Sequence, residues 1–299
     1  MASLYTQQDS NVRKTWLLMG AFLAVVVALG WFLSYYYDSY LILVIAVVFS
    51  VLANIGSYWY SDKLVLSMSG AKPVTREQYP DLWNITENLS ITAGLPMPKL
   101  YIINDPSPNA FATGRDKEHS AVAVTTGLLS LLDRSELEGV VAHELAHVGN
   151  RDILVMTIVV TLVGVVTLVA DFFLRMSLYG HGGRDRGDGK MGMILLVIGI
   201  IFVILSPIIA TLIKLAVSRK REFLADASGA LLTRYPEGLA RALQKISGST
   251  IPLTRANHAT AHLFISNPFK GTKKASFLTK LFMTHPPAEE RINALLGGK

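Results

Sequence analysis

Residues 133–170 read DRSELEGVVAHELAHVGNRDILVMTIVVTLVGVVTLVA: a polar start, a histidine-bearing middle and an uncharged end. Within it His143, Glu144 and His147 form the pattern HExxH. Side chains four residues apart share one helical face, so two imidazoles placed this way can hold one metal ion. Glu144 then projects towards the open side of that ion, where it can serve as a general base. The spacing predicts a helix, because Ser135 and Glu138 have capping-box spacing and an apolar run follows. Composition alone would generate only about 0.005 such matches in a chain of this length. Paired metal-ligating histidines are therefore a better reading than two histidines packed in a core.

Outward from this stretch, uncharged runs recur. Residues 15–37, 39–61 and 191–213 carry no charge, and neither does 153–170, which Phe172–Leu174 extend past Asp171. Spanning about 30 Å of hydrocarbon takes roughly 20 such residues. Four transmembrane helices are expected, with Pro207 kinking the fourth. The first run reads as a retained span: it is too long for a signal peptide, lacks a small-residue cleavage site and is followed at once by a second span. Trp16, Trp31, Tyr35–Tyr37, Trp59 and Tyr60 stand at the run ends, where interfacial aromatics belong. Over all 299 residues the chain is 51% hydrophobic and 17% charged, which excludes disorder. The spans hold almost no ionisable residue, so no ion path of a channel or transporter is visible.

The net charge of +6 is placed at the span ends. Arg13, Lys14, Lys63, Lys72, Lys214 and Arg219–Arg221 flank them, as membrane anchors do and a nucleic-acid surface would not. They predict a cytoplasmic N terminus and two cytoplasmic polar segments. The domain organisation expected is a hairpin at 1–61, a first catalytic part at 62–152, a second hairpin at 153–217 and a second catalytic part at 218–299. One loop disagrees. Residues 175–190 hold Arg175, Arg184, Arg186 and Lys190 against Asp185 and Asp188. Either this loop crosses despite its charge, or the second hairpin does not fully span.

There is no cysteine, so thiolate metal sites and disulfides are excluded. Two imidazoles and a carboxylate suit zinc, one ion per chain. The extended pattern HExxHxxGxxH fails, because Asn150 and Ile153 stand where Gly and His would be needed. A carboxylate on a second helix is the other solution. Glu222 and Asp226 lie four apart in RKREFLAD. Glu222 is the expected third ligand; Asp226 is expected to accept a hydrogen bond from the far nitrogen of a ligand histidine. His119, His181, His258 and His262 read as surface or packing histidines. Both ligand helices emerge from the second hairpin, which puts the metal within about 10–15 Å of the bilayer surface.

The ordered set of HELAH, then EFLAD after a hydrophobic hairpin, then His285-Pro-Pro-Ala-Glu-Glu-Arg291, resembles the HtpX membrane metalloproteases, relatives of the CAAX prenyl endopeptidases. Asn109-Ala-Phe-Ala-Thr-Gly114 and His262-Leu-Phe-Ile-Ser-Asn-Pro-Phe269 extend the likeness to essentially the whole chain. The resemblance implies a mainly α membrane protein with a gluzincin-like α+β zinc protease core and a small sheet. It implies zinc-dependent cleavage of misfolded or damaged membrane proteins, as quality control on the cytoplasmic side of the bacterial plasma membrane. The partners implied are membrane-protein or peptide substrates and the bilayer. His285 becomes the candidate oxyanion donor, with a turn-fixing histidine as the alternative. Arg291 either braces Glu222 or Asp226 or forms a helix-surface ion pair. Residues 109–113 and 119–126 are candidate edge strands, with Asn109 bonding substrate backbone or forming a turn. Two other functions share the motifs. A prenyl-protein endopeptidase would need more spans, and a non-proteolytic scaffold would need no Glu144.

Overall fold

The computed structural model describes residues 4–179, 219–254, 260, 263–266 and 286–297. The fourth uncharged run, residues 180–190 of the basic loop, His181, His258, His262 and His285 lie outside them. Residues 175–179, read above as loop, are the end of a helix.

Two long helices open the chain, α1 (Leu4–Tyr36) and α2 (Tyr40–Met68), joined by a turn in which Asp38 takes a left-handed conformation (φ 48°). Both are long and apolar enough to cross a membrane. Their pairing is inverted relative to a soluble hairpin. The buried stripe of α2 is Ser50, Asn54, Ser57 and Ser61, while Leu41, Ile45, Leu52 and Ile55 face outwards. Between helices in lipid, small and polar side chains make the seam, because outward apolar groups are already solvated by lipid. Asn54 donates to the Met19 carbonyl across this seam.

A four-stranded sheet follows: β1 (Lys72–Pro73), β2 (Lys99–Ile103), β3 (Ala110–Gly114) and β4 (Ser120–Thr125), in the order β1-β2-β4-β3. β2 and β4 run parallel; the outer pairings are antiparallel. The expectation that 119–126 forms an edge is corrected: β4 is central and wholly buried, and β3 is the edge. The reason is that β4 is hydrogen-bonded on both sides, to β2 and to β3, and both faces of the sheet are also covered. Strand alternation turns Val122 and Val124 one way, onto α3 (Pro80–Ala93), α5 (Arg134–Gly149) and α8 (Pro236–Gly248). It turns Ala121 and Ala123 the other way, onto Leu18 of α1, Val65 and Leu66 of α2, and Val155 and Val159 of α6 (Asp152–Tyr179). The small sheet is thus the plate between the polar unit and the membrane-type helices.

A short helix, α4 (Thr126–Leu131), leads to α5, whose N-terminal box differs from the one expected. Asp133 caps it, accepting from the Glu136 amide while the Glu136 carboxylate accepts from the Asp133 amide. Ser135 and Glu138 bond to Asp133 and Arg134 instead. The Asp133 box lies two residues ahead of the expected Ser135 box. The earlier one lies at the start of the helix, and buried Glu136 is also anchored by Lys245 of α8 at 2.7 Å. α5 and α6 then meet at 83°, with Arg151 in the left-handed region (φ 57°) at the corner. The bent pair could be read as one broken span, but Ile153–Val163 of α6 are enclosed by protein. Helices α7 (Arg219–Thr233) and α8 pack on α5, and α9 (Ala288–Leu295) packs on α7 and α8.

Candidate metal centre

His143 and His147 lie one turn apart on the buried face of α5, and Glu222 faces them from the first turn of α7. One potential ligand atom from each lies within 4.8 Å of the other two. The imidazole Nε2 atoms are 3.2 Å apart; Glu222 Oε2 is 3.9 Å from that of His143, and Oε1 is 3.5 Å from that of His147. All three residues are buried. Helix α7 can come this close because Gly229 faces α5: a Cβ there would sit 3.0 Å from the His143 amide nitrogen.

Each imidazole is held from behind. His143 Nδ1 lies 2.9 Å from Asp226 Oδ1, one turn after Glu222 on α7. His147 Nδ1 lies 3.0 Å from Asp152 Oδ2. With Nδ1–H donated to a carboxylate, Nε2 presents its lone pair to the shared space, which is the tautomer a metal ligand needs. The donor chemistry therefore fits a divalent ion such as zinc: two neutral imidazoles, one carboxylate, no thiol. Arg291 closes the back of the site. Although it comes from the far end of the chain, it is 1% exposed, and it binds Asp226 through two bonds of 2.8 and 2.7 Å. Its Nη1 is also 3.6 Å from Glu222 and donates to the Ile265 carbonyl.

The electrostatics follow from burial and pairing. Burial alone would raise the Asp226 carboxyl, but hydrogen bonds from Arg291 and His143 override it and bring it to about 2. In the metal-free centre burial would depress His147, but the Asp152 hydrogen bond and the charges of Glu222, Asp152 and Glu144 push it up to about 9, so a bound metal ion displaces a proton from it. Glu144 is buried beside the two histidines, and burial raises its carboxyl despite their opposing charge. A carboxylate raised towards neutrality can both take and return a proton.

The structure thus brings His143, His147, Glu222, Asp226, Glu144 and Arg291 together. Asn109 is buried, and its amide is used within the chain, donating to the Ser266 carbonyl and accepting from the Ser266 amide. Beside it the Ile265 amide donates to Ala110 on the β3 edge. Two residues of the centre were missed in the sequence. Asp152 is five residues past His147, off the helical face, and only the corner at Arg151 turns it back. Asn11 on α1 bonds Asp152 at 2.8 Å. A carboxylate beginning an uncharged run, and an Asn just ahead of another, were the available signals.

Comparison with known proteins shows the family. The chain is 47% identical over 297 residues to a protein of Caldanaerobacter subterraneus subsp. tengcongensis named Protease HtpX homolog, covering 98% of this chain and 97% of that one. A protein of Tropheryma whipplei with the same name is 53% identical over 238 residues, 80% of this chain and 79% of that one. Among solved structures, that of S. mikatae Ste24p aligns at a TM-score of 0.49 and 17% identity, over 98% of this chain and 66% of that one. The profile described as Peptidase family M48 matches residues 76–298, a range that holds both ligand helices and Arg291. A profile match over most of the chain and full-length relatives agree, and the chain belongs to peptidase family M48.

Proposed function

We propose that the chain is an integral-membrane zinc endopeptidase that cleaves misfolded or damaged membrane proteins on the cytoplasmic side of a bacterial plasma membrane. The observation that carries the reading is the convergence of His143, His147 and Glu222 within 4.8 Å, beside Glu144, in a chain of a peptidase family. Zinc held there would supply Lewis acidity to a peptide carbonyl and lower the pKa of water. The protein's own residues do the rest. Glu144 takes a proton from the attacking water and returns it to the leaving nitrogen, a task its raised pKa suits. Asp226 and Asp152 keep the two imidazoles oriented and in one tautomer. Arg291 neutralises Asp226 and keeps a positive charge beside Glu222. His285 is the proposed donor to the developing oxyanion, and 62–152 with 218–299 the proposed catalytic unit.

Two features support the membrane substrate class. Asn11, which touches the centre, is only about 7.5 Å of helical rise from Trp16, an outward aromatic of α1. Arg13, Lys14 and Lys63 at the same end favour the cytoplasmic face.

The test uses the full chain in lipid nanodiscs with a membrane-embedded model substrate. Wild type should cleave it, a chelator should stop cleavage and added zinc should restore it. Glu144→Gln should lose about 10²–10⁴-fold in rate while keeping its metal. Undiminished cleavage by Glu144→Gln would overturn the mechanism. Equal cleavage of an unfolded soluble protein would overturn the substrate class.

A further inference from the structure

Asn11 stands where the anchor helix meets the metal centre. It is 1% exposed, although it lies in the polar lead of α1. Its Nδ2 donates to Asp152 Oδ1 at 2.8 Å and to the Asn150 carbonyl at 3.0 Å. Its Oδ1 accepts from Arg221 Nη1 at 3.4 Å. The two N–H groups and the carbonyl of one amide are therefore all engaged, and the flanking groups fix which way the amide points. Asp152 gives its other oxygen to His147. A continuous path runs from α1 through Asn11 and Asp152 to a metal-facing imidazole.

From this path we infer that Asn11 is a positioning residue of the metal centre: it fixes the carboxylate that orients His147, and so couples metal affinity to the seating of the first membrane helix. The inference rests on the metallopeptidase reading above. An amide suits the position because it donates to a carboxylate and a carbonyl while accepting from a guanidinium. Aspartate there would oppose Asp152, and an apolar residue would leave the Asn150 carbonyl and one Asp152 oxygen without this donor. Gln8, one turn earlier on the same face, donates to the Gly149 carbonyl at 2.7 Å but does not reach Asp152. It shares the helix-to-helix role of Asn11 and lacks the path to His147, which makes it the internal control. Coupling is reciprocal, so metal binding should in turn tighten the docking of α1.

The experiment measures Zn²⁺ affinity of the full chain in nanodiscs by competition with a chromogenic chelator. Asn11→Ala should bind zinc more weakly, by no more than the about 10–100-fold that loss of His147's own orienting partner Asp152 would give. Gln8→Ala, which loosens α1 without touching Asp152, should lower stability and weaken zinc binding much less than Asn11→Ala. Because Asn11 acts through Asp152, Asn11→Ala introduced into Asp152→Asn should add little further loss. Should Asn11→Ala fail to fold, amide hydrogen exchange on the wild type provides a second reading: zinc should slow exchange over residues 8–14. Equal zinc affinity for wild type and Asn11→Ala, additive losses in the double variant, or unchanged exchange on adding zinc would each overturn the inference. A wild type that binds no zinc would instead overturn the metallopeptidase reading itself.

Discussion

Arg291 shows how much of the centre depends on a single long-range side chain. It lies 65 residues from Asp226 in sequence, yet it provides the double hydrogen bond that keeps that carboxylate charged in a buried site. Removing one partner of a buried pair is costly because the other is left charged and desolvated. Arg291→Leu should therefore destabilise the chain by about 3–5 kcal/mol in denaturant titration. Replacing Arg291 and Asp226 together by apolar residues should recover part of this, while still weakening metal binding through His143. Full stability of Arg291→Leu would show that the double bond to Asp226 contributes little. His143, His147, Glu222 and Asp226 were legible in the sequence because each pair is a local i, i+4 pattern on one helix. Asp152 and Asn11 were not. Their contacts depend on a corner in the backbone and on the docking of a helix some 140 residues away, which no local periodicity encodes.

At the scale of the element, α5 is positioned from both ends. Its C-terminal end is held by Gln8 and Asn11; its N-terminal end is held by the Asp133 box and by Lys245 on Glu136. Its existence was legible from the apolar run and from the Ser135-x-x-Glu138 spacing. Its start was not, since two overlapping boxes satisfy the pattern and only the tertiary anchor on Glu136 separates them. The sheet shows the same limit. Of its strands only β3 and β4 were legible, from 109–113 and 119–126; β1 and β2 were not, and β4 is central because β2 and β3 pair with it on either side, which its own sequence does not encode. The Asp133 cap has a pH signature. The Glu136 backbone amide, and then the Ser135 hydroxyl, hold its carboxyl below the ordinary value. A depressed folded pKa means stability that is present above the unfolded carboxylate range, near pH 4, and lost as pH falls through the lower folded value. Asp133→Ala should accordingly lower the thermal midpoint at pH 7, and the gap to wild type should close on acidification below pH 4. A gap that persisted there would mean that the charged cap is not its source.

The whole molecule is arranged so that one plate, the four-stranded sheet, has the metal centre's helices on one face and the membrane-type helices on the other. α1 and α2 are long and apolar enough to cross a bilayer, and their aromatic residues provide a direct check. Trp16 stacks on Tyr58, which meets Trp59 edge-on, so these three form one girdle at the end of the hairpin nearest the centre. Trp31 stacks on Tyr35, which lies about 28 Å further along α1 than Trp16, close to the roughly 30 Å of the hydrocarbon core. All three tryptophans face outwards, while Trp83 packs on the core of the polar unit. In a Trp83→Phe background, single-tryptophan variants in vesicles should be quenched more by lipids brominated near the headgroup than by lipids brominated near the chain ends. An aqueous quencher added outside vesicles of uniform orientation should reach Trp31 or the Trp16–Trp59 girdle, but not both. Deep quenching of any of the three, or equal access to both girdles from one side, would show that the hairpin does not cross. The centre would then lose the membrane proximity on which its proposed choice of substrate depends.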